Sequence, residues 1–315
     1  MGLLRPARLA QSEPVRGDHF RGHTAISKNA STMSATPFMQ EVISRWGETA
    51  PYWEKHRAII REMFAPVTQA LVEATKITRG SAVLDVATGP GEPALAIAEL
   101  VGNEGKVLGI DAVPEMVEAA RREALRRELH NATFAVALAD FLPFPANNFD
   151  AVVSRFGVMF FQSPVGAVRE MLRVVKPGGR IALAVWHFAE KNPFHYTLSR
   201  IVERYVDSPP PAADSPDAFR FAEPGRLRAV FSEAGAASAS EYLLRFSIRA
   251  PVSAEDFWTL RSEMSERLRS KLAKIPREQM IEVKREAIEA FRAYSGDGGL
   301  SLPAEVLIVA GGKPS

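Results

Sequence analysis

The segment Val83-Leu84-Asp85-Val86-Ala87-Thr88-Gly89-Pro90-Gly91-Glu92-Pro93-Ala94 constrains the fold of this chain more than any other. An apolar strand run enters a turn with two glycines and leaves it as a helix carrying Pro93 in its first turn. Glycine admits positive φ and lets backbone approach a ligand closely. Strand, tight turn and helix in succession form the first arm of a βαβ unit, which needs a parallel partner strand. The sequence supplies several. Short β-branched runs at 81–86, 106–110, 133–136, 149–154 and 181–186 alternate with helical patterns at 94–101, 114–127 and 164–175. That alternation predicts an α/β fold with a doubly wound, mostly parallel sheet.

The flanks are more helical. Between 37 and about 76, Val42, Trp46, Trp53, Ile59, Ile60, Met63 and Phe64 recur at roughly helical spacing, with a break expected at Pro51. After Trp186 the pattern gives a helix at 192–205, a Pro-rich connector at 207–217 and an alternating strand at 241–248. Helices follow at 254–264, 266–275 and 277–294, then a Gly-rich turn and a last strand at 305–310.

Composition removes several chemistries. The 315 residues include no cysteine, which excludes disulfides, Cys-ligated zinc, iron–sulfur clusters and thiol nucleophiles. The formal charge of +2 resides in the first 32 residues, where five basic side chains face two acids, leaving 34 against 35 elsewhere. A nearly neutral body gives a nucleic-acid partner no compositional support. Residues 1–33 read as a disordered tail with no secretory core. An upstream start before Met33-Ser34 is preferred over an organellar transit peptide. No apolar run reaches transmembrane length, so the expected location is cytoplasmic.

Gly89-x-Gly91-x-x-Ala94 fits the loose dinucleotide fingerprint, which keeps an NAD(P)-dependent oxidoreductase in view. Asp111 lies 20 residues after Gly91 at a strand end, where a carboxylate can accept both ribose hydroxyls. By itself this spacing does not separate NAD(P) from another nucleoside cofactor. Asp85, four residues before Gly89, favours the second kind. Its carboxylate would face a pyrophosphate at a cost of several kcal/mol, whereas a cationic, phosphate-free ligand would be attracted. Ala87 and Thr88 also lengthen the turn beyond the usual dinucleotide form.

Taken together, the motifs resemble those of class I S-adenosylmethionine-dependent methyltransferases. Asp85 to Gly91 is similar to their first motif, and Gly109-Ile110-Asp111 with Val113-Pro114-Glu115-Met116 to their second. Ala139-Asp140-Phe141-Leu142-Pro143-Phe144 and Asn148-Phe149-Asp150 resemble the third and fourth. Arg169-Glu170-Met171-Leu172-Arg173-Val174-Val175-Lys176-Pro177-Gly178-Gly179 resembles the signature of the type 11 subgroup, which includes the ubiquinone/menaquinone C-methyltransferases. The match covers about residues 80–186 with every motif in order.

The resemblance implies a seven-stranded Rossmann-like sheet binding S-adenosylmethionine and releasing S-adenosylhomocysteine. It places Thr88, Gly89, Pro90 and Gly91 beneath the methionine moiety, with Asp85 near its amino group. It gives Asp111 the ribose hydroxyls, Ala112 and Met116 the adenine face, and Ala139 and Asp140 the adenine edge. The Phe141 N–H would meet a ring nitrogen, and Ser154, Arg155 and Phe156 the methionine end. The domains expected are a tail at 1–33, an N-terminal helical lid at 34–78 and a methyltransferase domain at 79–315. The last comprises a core at 79–187 and a helical cap at about 251–297, inserted before the final strand.

Acceptor recognition falls to the parts outside the core. Trp53, Phe160, Tyr196 and Trp258 are the expected pocket residues, suited to a small or medium organic acceptor methylated at O, N or C. His187, just past the fifth strand, and His195 in the next helix are the candidate catalytic bases. No metal is expected, because the position after the fourth strand reads Ser154-Arg155-Phe156 and offers no acid cluster. A homodimer is a possible assembly. A non-catalytic S-adenosylmethionine-binding protein is a further reading of the same motifs, since fold alone does not make an enzyme.

Overall fold

A computed structural model describes residues 37–207 and 215–314, with side chains from residue 40 onward. The tail expected at 1–33 lies outside the described residues.

Three helices come first: α1 (Pro37–Lys55), α2 (Arg57–Met63) and α3 (Ala65–Thr75). Pro51 sits inside α1 and does not end it; the breaks fall at His56 and Phe64. One missing N–H is a local cost that tertiary packing offsets here. Ile43, Trp46, Ala50 and Trp53 pack on Val113 and Met116.

The expected alternation follows as β1 (Ala82–Val86), α4 (Ala94–Val101), β2 (Lys106–Asp111), α5 (Pro114–Arg126), β3 (Ala132–Val136) and β4 (Phe149–Arg155). Then come α6 (Pro164–Val174), β5 (Val175–Trp186), α7 (Pro193–Val202), α8 (Arg226–Ala234) and β6 (Ala237–Ala250). The cap is α9 (Ala254–Met264), α10 (Glu266–Leu272) and α11 (Arg277–Arg292), before β7 (Ser295–Gly296) and β8 (Gly299–Gly312). Ser163, Ser253 and Ser265 cap α6, α9 and α10, each accepting a backbone N–H three residues on.

The sheet runs β3-β2-β1-β4-β5-β8-β6, a seven-strand path with the two-residue β7 paired to β8 as an eighth strand. Pairs from β3 to β5 are parallel, while β8 is antiparallel to both β5 and β6. Leu84, Val152 and Ile181 on the central strands are fully buried, as in a sheet covered on both faces. Strand order reverses between β1 and β4, and the crevice at their carboxyl ends is where ligands bind in such sheets.

The N-terminal helices are fastened to α9. Trp53 Nε1 donates to Met264 O of the cap (3.1 Å), and both Lys55 Nζ (2.9 Å) and His56 Nε2 (2.6 Å) meet Glu263. On the α5 side, Glu123 is buried and bonded to Arg57 of α2 (2.7 Å), Arg126 and Arg127 (2.6 Å each). Among the described residues, no helix is long and apolar enough to cross a membrane.

Burial opposes ionisation of Glu123, but hydrogen bonds from Arg126 and Arg127 override it and hold the carboxyl down to about 2. A depressed acid stabilises the fold fully above its ordinary value of 4.5 and loses that contribution as pH falls toward 2. Glu123→Ala is expected to lower unfolding free energy by about 3 kcal/mol in urea titrations, because Arg127 and Arg57 lose their buried partner. Glu123→Gln should flatten the fall in stability over the same acid range.

Candidate active site

The β1–α4 loop owes its shape to left-handed backbone at Ala87 (φ 59°), Gly89 (φ 56°) and Gly91 (φ 109°). A Cβ at Gly91 would come within 2.6 Å of Leu95, so only glycine lets α4 pack down there. A Cβ at Gly89 would meet nothing within 4 Å, since the loop faces open space at that point.

Asp111, at the end of β2, clasps this loop. Its Oδ2 accepts from the Gly89 N–H (2.8 Å) and its Oδ1 from the Val113 N–H (3.0 Å). Each oxygen keeps further acceptor capacity for a ligand hydroxyl. Burial pushes its carboxyl up to about 6, against the pull of those N–H groups.

Asp85 has a different place from the one expected. It is fully buried beneath the loop and does not reach the cavity wall. Oδ2 accepts from the Ala94 N–H (3.1 Å) at the start of α4, and the Thr88 hydroxyl lies close enough to the carboxylate to oppose part of the effect of burial. Burial raises this carboxyl to about 7. The strand ends under the turn, so the side chain supports the loop from below.

A first cavity opens above the loop. Thr88, Gly89 and Pro90 form its floor, and Asp111, Ala112, Val113 and Met116 one side. Ala137 to Asp140 form the next side, and Arg155 to Gly157 the end of β4. Trp46, Trp53, Phe64 and Phe160 close the remaining wall. Asp140 accepts from the Ser163 N–H (3.2 Å), and burial raises its pKa. Arg155 is enclosed, donating to Thr68 Oγ1 (2.8 Å) and Glu92 O (3.2 Å), so it ties α3 to the loop. Three other expected contacts are outside this wall. Gly91 lies under the loop, and Ser154 is buried with its Oγ unpartnered. Phe141 is exposed, and its N–H donates to Leu138 O (3.3 Å), so that donor is already engaged. Ala137 and Leu138, which the motifs do not include, line the cavity as near neighbours of Ala139.

A second, larger cavity of about 730 Å³ shares Trp46, Trp53, Phe64, Phe156 and Phe160 with the first. Phe156, with φ 63°, stacks parallel on Trp186 at 4.4 Å. His195 and Tyr196 border this space. His195 Nε2 is buried without a partner, and burial together with the charge of Arg261 drives its pKa well below the ordinary value. The ring is therefore neutral at pH 7.

Two expected site residues belong elsewhere. His187 borders neither cavity; antiparallel pairing of β5 with β8 sets its Nδ1 2.7 Å from Glu305 Oε2, a structural pair. Trp258 is a buried core side chain on α9 and lines neither space.

Comparison with known proteins agrees with this geometry. A family described as "Methyltransferase domain" matches residues 83–179.

Residues 83–179 are thus similar to a methyltransferase domain.

Among characterised relatives, the aklanonic acid methyltransferase DauC of Streptomyces sp. (strain C5) is 40% identical over 121 residues, 38% of this chain and 55% of that protein. The ubiquinone/menaquinone biosynthesis C-methyltransferase UbiE of Azotobacter vinelandii is 38% identical over 135 residues, 42% of this chain and 52% of that one. The chain thus spans about half the length of the curated relatives it matches. The crystal structure of YcgJ from Bacillus subtilis shares the fold at a TM-score of 0.51, with 21% identity over 79% of this chain and 98% of that one.

The first cavity fits S-adenosylmethionine on structural grounds. Gly89 is open to the cavity, and Asp111 retains acceptor capacity. In Asp111→Ala, calorimetry should show S-adenosylhomocysteine binding weakened roughly 10- to 100-fold, the worth of a charge-assisted hydrogen bond. Wild-type affinity should also fall as pH drops through about 6, where Asp111 takes up a proton. Asp111→Asn should remove that dependence.

Proposed function

We propose that this protein transfers a methyl group from S-adenosylmethionine to a small or medium organic acceptor, without a metal. One observation carries the reading. The Gly89 N–H, which a dinucleotide pyrophosphate would require, is already donated to Asp111 Oδ2 at 2.8 Å. With that donor engaged by an acid and Asp85 beneath the same loop, a phosphate-free nucleoside is favoured over a pyrophosphate.

The cofactor supplies a methyl group on a sulfonium, whose positive charge disperses as the methyl leaves. The protein's task is alignment and exclusion of water. Asp111 holds the ribose hydroxyls, and Ala112, Met116 and Leu138 offer an apolar slot for the base. Trp46, Phe156 and Phe160, common to both cavities, form a dry boundary that a reacting acceptor would approach from the second. His195, neutral and with Nε2 unengaged, is placed to take a proton from an acceptor hydroxyl or activated carbon. His187 is not assigned this role, being paired with Glu305. On this reading the protein is cytoplasmic, takes no nucleic-acid partner, and associates with itself if with anything.

Titration calorimetry should give micromolar binding of S-adenosylmethionine and S-adenosylhomocysteine, with no NADH binding in a fluorescence titration. Binding of NADH and of neither sulfur compound would overturn the proposal. Tight binding without methyl transfer to any member of a broad acceptor panel would favour a non-catalytic role.

A further inference from the structure

The second cavity has an unusual feature for an aromatic-walled space. Arg261 of α9 borders it at 5% exposure, on the same helical face as buried Phe257 and Met264. Its Nε donates to Phe194 O (3.0 Å), and its guanidinium stands 3.8 Å from the centre of the Phe194 ring. Among the described residues, no carboxylate is within salt-bridge distance of Arg261, and neither Nη1 nor Nη2 has a protein acceptor. Burial lowers its pKa only to about 9, so it remains charged at neutral pH. A buried cation without a counter-ion is costly, and natural proteins retain one where something else supplies the negative charge.

The acids around the same cavity do not supply it. Asp217 is paired with Arg267, Glu266 accepts from Ser270, Glu203 faces Lys271 at 3.7 Å, and Glu190 is exposed. His195, with its unpartnered Nε2, borders the same space. Trp186, Phe194, Phe219 and Met264 give that wall its aromatic and apolar part, while Arg45 and Arg200 stand at its polar side, Arg45 exposed and paired with Glu41 and Arg200 over the Tyr196 ring. A neutral hydrogen-bonding imidazole and an unneutralised guanidinium in an aromatic slot match a planar ligand with an anionic oxygen at its edge.

We propose that Arg261 determines acceptor specificity by binding an anionic oxygen, a carboxylate or an acidic enolate, on a planar aromatic acceptor held in the second cavity. This rests on the methyltransferase reading for its meaning as acceptor recognition, while the anion site can be tested separately.

The probes are 1-naphthoate and its uncharged counterpart 1-naphthamide, titrated into S-adenosylhomocysteine-saturated protein with tryptophan fluorescence as the signal. Wild type should bind the acid at least tenfold tighter than the amide. Arg261→Met, which keeps the apolar stem, should reduce that preference below twofold and leave S-adenosylhomocysteine affinity within twofold of wild type. Arg261→Lys keeps the charge and should retain part of the preference, which separates lost recognition from lost folding. Equal binding of acid and amide by wild type, or a preference that survives in Arg261→Met, would overturn the proposal. If naphthoate discrimination is present but S-adenosylhomocysteine does not bind, the anion site stands and the methyltransferase reading falls.

Discussion

The hydrogen bond from the Gly89 N–H to Asp111 Oδ2 joins the ends of two neighbouring parallel strands through a loop and a side chain. Its formation requires positive φ at Gly89, a register that sets Asp85 beside Gly109, and an acid at the last position of β2. Once formed, it decides the character of the crevice. The loop presents a carboxylate where a phosphate site would present free N–H groups, and the cofactor chemistry follows from that exchange. Asp85 supports the same turn from beneath through Ala94, so two acids act on one loop from opposite sides.

The core was legible because its signals are local. Buried β-branched runs mark strands, Gly and Pro mark turns, and Asp111 and Asp140 at strand ends need partners that apolar neighbours do not give. Elements resting on tertiary contacts were harder to read. The sequence carries only Leu227, Val230 and Phe231 as large apolar residues of α8, too few for a clear stripe, although Leu227 and Phe231 are fully buried. Pro51 looked like a helix breaker, yet the packing of Trp46 and Trp53 around it outweighs one absent N–H.

The site divides in the same way. Residues adjacent to the motifs line the first cavity, while the second is assembled from α1, α7 and α9, far apart in sequence. His187 was plausible by position, but its partner Glu305 is 118 residues away and is brought close only by the β5–β8 pairing. Arg261 did leave a trace, a charge on the apolar face shared with Phe257 and Met264. Without the fold, such a residue is indistinguishable from one reaching out to solvent by its stem.

The cap leaves the sheet after Ala250 and returns at Leu300, and these two residues are direct neighbours across the β6–β8 pair. An excursion of 49 residues, 34 of them in α9, α10 and α11, therefore begins and ends at one rung of an antiparallel ladder. The sheet's register is closed below that rung whatever the excursion contains. The inserted sequence can change length and chemistry there while the Asp111 clasp, five strands away along the sheet from β6 to β2, keeps its geometry. The fold thus separates a fixed half, which carries the glycine loop and Asp111, from a half free to vary.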